Sequence, residues 1–207
     1  TDTEQALKFI DSANVKIAKS FWLGSYDQAA VGRLLKKEQN RGLNEGIGHY
    51  KDKNFDAALQ QFQRSVVTGE LLGDVDTLAI YNCGLAAEQM SDWAAAESYY
   101  RQCTEIGYKG AAAYYSLVHL QQKPGRTVEA MATNLEGRDK SPEDMNLLTT
   151  QLNHYVTQYD YNNAEVLLKK AVTIDNNNPA LYYSLGSVHG FLKQREEERA
   201  RSGVEGV

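Results

Sequence analysis

Large apolar and small residues recur along this chain with one long period. The segment Tyr114-Tyr-Ser-Leu-Val118 returns as Tyr182-Tyr-Ser-Leu-Gly186, 68 residues later. Asp92-Trp-Ala-Ala-Ala96 and Tyr161-Asn-Asn-Ala164 end on alanines that are again 68 apart, and Ala130 lies midway between them. Half of that spacing sets a frame of 34 residues, with copies starting at Thr77, Ala111, Met145 and Pro179. An earlier copy starts at Gln39, 38 residues before Thr77, which puts about four extra residues in the Gly69–Asp76 loop. The eighth position then reads Gly46, Gly84, Val118, Leu152, Gly186, and the twentieth reads Ala58, Ala96, Ala130, Ala164 before failing at Glu198. The twenty-seventh reads Ser65, Cys103, Gly137, Ala171. Large residues stand between: Ile80, Tyr114, Leu148 and Tyr182 at position 4, Phe55, Trp93 and Tyr161 at position 17, and Phe62, Tyr100 and Leu168 at position 24.

That pattern predicts two antiparallel helices per copy. Their backbones come close at the small positions, and the large side chains fill the space between, as a dense interior requires. The prolines fit the frame. Pro142 and Pro179 fall between copies, and Pro124, followed by Gly125, falls between the two helices of its copy. Inside a helix each would cost about 3 kcal/mol. The third copy departs most, with Val118, Thr127, Asn134 and Gly137 at motif positions, and is expected to be the softest. The first has Gly42 where a large residue is usual.

The motifs Ile80-Tyr-Asn-Cys-Gly84 through Ala96 to Tyr100, and Phe55-Asp-Ala-Ala-Leu-Gln-Gln-Phe62, resemble the tetratricopeptide repeat. The resemblance spans about Gln39 to Leu192. It implies an all-α fold, a right-handed superhelical solenoid of helix-turn-helix repeats. The expected layout is a leading helical hairpin over 1–38, then repeats at 39–76, 77–110, 111–144 and 145–178, and an incomplete or capping repeat at 179–207. Within the leading segment, helices are expected over Ala6–Phe21 and Tyr26–Lys37. The closing run Arg195-Glu-Glu-Glu-Arg-Ala-Arg201 reads as a solvated helix face.

The resemblance also implies a function, a non-catalytic scaffold that holds a partner protein or peptide in its concave groove. The inner face of such arrays is lined by the first helix of each repeat. Here that face includes Leu43, Ile47, Tyr50, Tyr81, Leu85, Tyr115, His119, Asn153 and Tyr183, with Glu88, Gln122, Asn146 and Thr149 beside them. Tyr81, Tyr115 and Tyr183 share one repeat position, and aromatic residues are enriched at interfaces. Chaperone adaptors of this family grip a carboxylate with a clamp of Lys, Asn and Arg. The clamp positions here hold Leu43, Ile47, Asn82, Ala112 and Ser116, of which only Asn82 matches. Three other roles fit the class: self-association, a structural or assembly subunit of a bacterial envelope or secretory complex, and the regulatory arm of a longer enzyme. Bacterial cytoplasm and periplasm both stay open.

Composition narrows the chemistry. The chain has 207 residues, 42% hydrophobic and 24% charged, enough to bury a core. Its formal net charge of −5, with no Lys/Arg run, gives phosphate backbones nothing to bind, so no nucleic acid is expected. No stretch approaches the roughly 20 apolar residues of a membrane helix. Gly42-Leu-Asn-Glu-Gly-Ile-Gly48 lacks the preceding strand and the Lys-Ser/Thr of a phosphate loop, and reads as close helix packing at Gly46. The four histidines, His49, His119, His154 and His189, form no i,i+4 pair and no Cys/His cluster, so neither metal nor cofactor is expected. His49 and His189 share a packing position. Cys83 and Cys103 read as buried free thiols.

Overall fold

The structure is a computed structural model that describes residues 28–203 apart from residue 124. Among the described residues it holds helices and no strand. The helices are α1 (Gln28–Lys51), α2 (Phe55–Leu71), α3 (Thr77–Gln89), α4 (Trp93–Glu105), α5 (Ala111–Gln122), α6 (Thr127–Lys140), α7 (Met145–Thr157), α8 (Tyr161–Ile174) and α9 (Pro179–Ser202). They fall into two compact units, Thr1–Lys109 and Gly110–Val207. In the first, α1 packs on α2, α2 on α3 and α3 on α4. In the second, the chain of contacts runs from α5 to α6, α7, α8 and α9, with α5 also touching α7.

One device turns the chain inside every hairpin. Lys53, Ser91, Gly125 and Tyr159 all have φ between 57° and 77°, the left-handed region. Each sits at the same repeat position. The residue that follows sends its N–H back to a carbonyl in the helix: Asn54 to His49, Asp92 to Ala87, Arg126 to Gln121 and Asp160 to Tyr155. This is the Schellman closure, which satisfies helix-end carbonyls that have no partner of their own. In two of the hairpins, the next helix is then capped at its start by a side chain. Asp92 and Asp160 accept from the N–H groups of Ala95 and Asn163, at 3.1 and 3.3 Å. Asp76 and Asp144 do the same for Ala79 and Leu147 at the entrances of α3 and α7. A carboxylate there meets both an orphan donor and the positive end of the helix dipole.

Packing follows the small-and-large frame. Ala58, Ala96, Ala130 and Ala164 are all buried. A Cβ built on Gly46 would lie 2.5 Å from the Phe62 ring, and one on Gly84 would lie 2.6 Å from the Tyr100 ring. Glycine is therefore required there: the ring of the second helix occupies the place of a side chain on the first. The same trade runs in reverse at Gly137, where a Cβ would meet Tyr114 at 2.6 Å. In the third copy the large member moves to the first helix, with Val118 in place of glycine. Asn134, in place of a ring, is buried and donates to the Leu147 carbonyl of α7 at 2.9 Å. Gln121 and Thr133 are buried with it. Cys83 and Cys103 are buried and free.

Several expectations need correction. The leading hairpin was to end near residue 38, before a separate repeat. The helix expected over Ala6–Phe21 lies outside the described residues, as do Tyr26 and Asp27. From Gln28, however, α1 runs unbroken to Lys51, so the expected boundary falls inside a helix. Nothing in Lys36-Lys-Glu-Gln-Asn-Arg41 stops a helix, and two of those side chains are locked into the unit. Glu38 is buried and paired with Arg41 and Arg64, and Gln39 is buried and donates to Asp76 at 3.0 Å. Gly42 lets α1 approach α2 closely, since a Cβ there would meet the Gln61 carbonyl at 3.0 Å. Trp93, expected in the core, is the first residue of α4 and is 42% exposed. Tyr182 is 49% exposed. His189 is no packing residue. It lies at the surface and pairs with Glu165, whose carboxyl is held below its ordinary range by hydrogen bonds from Lys169 and His189.

Candidate functional site

The residues expected to line a groove behave differently in the two units. In the first unit they are half core. Leu43, Ile47 and Tyr50 of α1 pack against a buried cluster of Ala58, Phe62, Cys83 and Ala86. Tyr50 meets Phe55 edge-on at 5.3 Å between ring centres. Burial, and then the neighbouring Glu88 carboxylate, push the Tyr50 phenol up. Tyr81 lies between Tyr100 and Tyr108, at 5.7 and 6.1 Å, and the Lys109 ammonium stands 5.9 Å from its ring centre. Tyr100 is fully buried and donates to Glu88 at 2.9 Å. Leu85 is also half-buried. These rings therefore have packing roles whatever else they do.

In the second unit the same repeat positions open outward. Tyr115 and His119 of α5, one turn apart, stack at 6.4 Å with planes 20° apart. Tyr115 is 40% exposed, and His119 and Asn153 are exposed. All three line an open cleft of about 330 Å³, together with Val118, Gln122, Thr127, Thr150, His154 and Thr157. The structure thus brings together four of the residues expected on the groove face, Tyr115, His119 and Gln122 of α5 and Asn153 of α7. Tyr183 is not among them. It stands on α9 and is 80% exposed. Thr150, His154 and Thr157 were not anticipated. Thr150 and His154 stand at repeat positions outside those that set the expected lining, whereas Thr157 stands at one of them, and a threonine or histidine on a helix carries no signal of its own.

The cleft is neutral and polar. Its lining offers amides, hydroxyls, two imidazoles, one phenol ring and one valine, with no carboxylate, ammonium or guanidinium. Such a surface can hydrogen-bond an extended backbone and stack a ring, because each group both orients and tolerates a polar partner. Among the described residues no group of three or more His, Cys, Asp or Glu could hold a metal ion. No helix among them is long and apolar enough to cross a membrane.

Hairpins built around small-for-large contacts define a helical-repeat fold, and comparison with a solved structure says which fold. A TPR-repeat protein from Bacteroides fragilis matches with a TM-score of 0.55 and 20% identity, over 80% of this chain and 75% of that one. A thermophilic TPR protein from Thermus thermophilus matches more loosely, with a TM-score of 0.47 and 17% identity, over 78% of this chain and 87% of that one. No protein-family model and no curated protein matches the chain. The fold is the tetratricopeptide-repeat fold.

Proposed function

We propose that this chain is a non-catalytic interaction module and that the cleft between α5 and α7 takes a segment of a partner protein. One observation carries the reading: an open, uncharged cleft in which Tyr115 presents an exposed ring, framed by hydrogen-bonding side chains. In the first unit, Leu43, Ile47, Tyr50, Tyr81 and Leu85 are mainly supporting residues on this reading, because they already pack inward. The occupant is an extended or helical segment with an aromatic or apolar side chain for Tyr115 and backbone or amide groups for Asn153 and Gln122. Short docking surfaces of this kind bind transiently, with a Kd near 1 μM, about −8 kcal/mol.

A displayed library of short random peptides, selected on the folded protein, tests the proposal. Tyr115→Ala combined with Asn153→Ala is expected to weaken the selected peptides by about 30-fold, as loss of a hot-spot aromatic does. Both side chains are exposed, so the helical circular dichroism spectrum should not change. Selected peptides that bind the folded double variant as tightly as wild type would remove the cleft from the proposal.

A further inference from the structure

Among the described residues, nothing fills the outer face of α9 at Gly186 and Gly190. In the first two copies the glycine at position 8 is filled by a ring from the next helix, Phe62 over Gly46 and Tyr100 over Gly84. At the same position of α9 stands Gly186, and among the described residues nothing lies within 4 Å of a Cβ built there. Gly190, one turn on, is equally open. Tyr182, one turn before, is half exposed, where its counterparts Ile80, Tyr114 and Leu148 are buried. The opposite face of the helix is spent, since Leu181, Leu185, Val188 and Leu192 pack into the cluster formed with α7 and α8.

We propose that this face binds a second copy of the same face, with the two α9 helices antiparallel about a two-fold axis at Gly186. The reason is the placement of ring and hole. Within a hairpin the hole lies on one helix and the ring on the other. On α9 both lie on one face, at Tyr182, Gly186 and Gly190, one helical turn apart. Antiparallel pairing centred on Gly186 sets Tyr182 of one copy over Gly190 of the other, and the reverse. Gly186 meets Gly186 where the backbones come closest. A two-fold interface demands this self-complementarity, and a different partner would not. The contact type is already established in this fold, because Tyr100 on Gly84 is the same pair of residues. The stretch from Tyr182 to Gly190 carries no Asp, Glu, Lys or Arg. The Tyr182 hydroxyl donates to the Asn176 carbonyl at 3.1 Å, which holds the ring at the surface rather than leaving it free. This contact lies outside the α5–α7 cleft and does not depend on what that cleft binds.

Sedimentation equilibrium across the micromolar range tests it on the whole chain. Wild type is expected to show a monomer–dimer equilibrium. Gly186→Arg is expected to raise the dissociation constant by about 100-fold or more, because a long cation replaces the closest approach. Its helicity should not change, since among the described residues nothing crowds that site. A second measurement reads the register. A residue on the axis faces itself, so Gly186→Cys should oxidise to a cross-linked dimer much faster than Ser98→Cys, an exposed control on α4. The native thiols are buried and do not interfere. A chain that is monomeric throughout, a dimer untouched by Gly186→Arg, or equal cross-linking of the two cysteine variants would each overturn the proposal.

Discussion

At the scale of single residues, the contacts decide what a methyl group does. Gly84 and Gly48 both lie inside helices, where alanine is favoured over glycine by about 1 kcal/mol. At Gly48 nothing among the described residues lies within 4 Å, so Gly48→Ala should stabilise by about 0.5–1 kcal/mol. At Gly84 the new methyl enters the Tyr100 ring, which is fully buried and tied at its hydroxyl to Glu88. The ring has nowhere to move, and overpacking costs about 1–3 kcal/mol. Gly84→Ala should therefore destabilise, and thermal melts of the two variants should shift in opposite directions. The thiols give a pH prediction. Burial pushes Cys103 up to about 11 from an ordinary 9.0, and pushes Cys83 higher still. A raised folded-state pKa means that the fold favours the neutral thiol. That contribution is complete below pH 9 and is lost as pH rises through 11. The thermal midpoint should fall over that interval, and by less in Cys103→Ala. Native labelling by a thiol reagent should be slow for both cysteines, because the reactive thiolate is disfavoured and covered.

At the scale of elements, each hairpin is closed by a left-handed residue, followed by a carboxylate cap at Asp92 and Asp160. Ser91, with φ of 60°, bears a strain that glycine would not, of about 1–2 kcal/mol. Part of the gain is offset because glycine loosens the unfolded chain. Ser91→Gly should therefore raise stability by up to about 1 kcal/mol, while Asp92→Ala, next door, should lower it by about 1 kcal/mol through loss of the cap on Ala95. Chemical denaturation of the two variants measures both. Asp76 does more than cap, because it also accepts from Gln39 and Ser65, at 3.0 and 2.7 Å. Those bonds tie α1, α2 and the start of α3 together, and the extra residues expected in a Gly69–Asp76 loop instead lengthen α2, which runs on to Leu71 and leaves only a short connection before Asp76. The same tie helps account for the one long helix α1 where two were expected.

At the scale of the molecule, two units of stacked hairpins carry a net charge of −5 with no basic stripe. The cleft itself has no formal charge. Selected peptides should therefore bind with little dependence on salt, since screening acts on exposed charges and counterion release needs a basic surface. A titration repeated at low and high ionic strength checks this. A steep loss of affinity with salt would mean that the contacts are charged and lie elsewhere.

The order of residues by itself determined the class of fold. Small and large side chains spaced by one repeat can be read directly, because position 8 against 24, or 4 against 27, is a contact between neighbouring helices of one hairpin. Gly84 with Tyr100 is such a local pair, as is Tyr114 with Gly137. Repeat position also singled out Tyr115, His119 and Asn153, which share a cleft. What no spacing could state was how much of each side chain its surroundings would cover. Tyr81 and Tyr115 occupy the same repeat position, yet Tyr81 packs between Tyr100 and Tyr108, while Tyr115 opens into the cleft. Thr150 and His154 joined that cleft only because α7 turns them toward α5. Trp93 and Tyr182 came to the surface for the same reason: burial depends on what packs on a residue from other helices, and a one-dimensional period records only where on its own helix it stands.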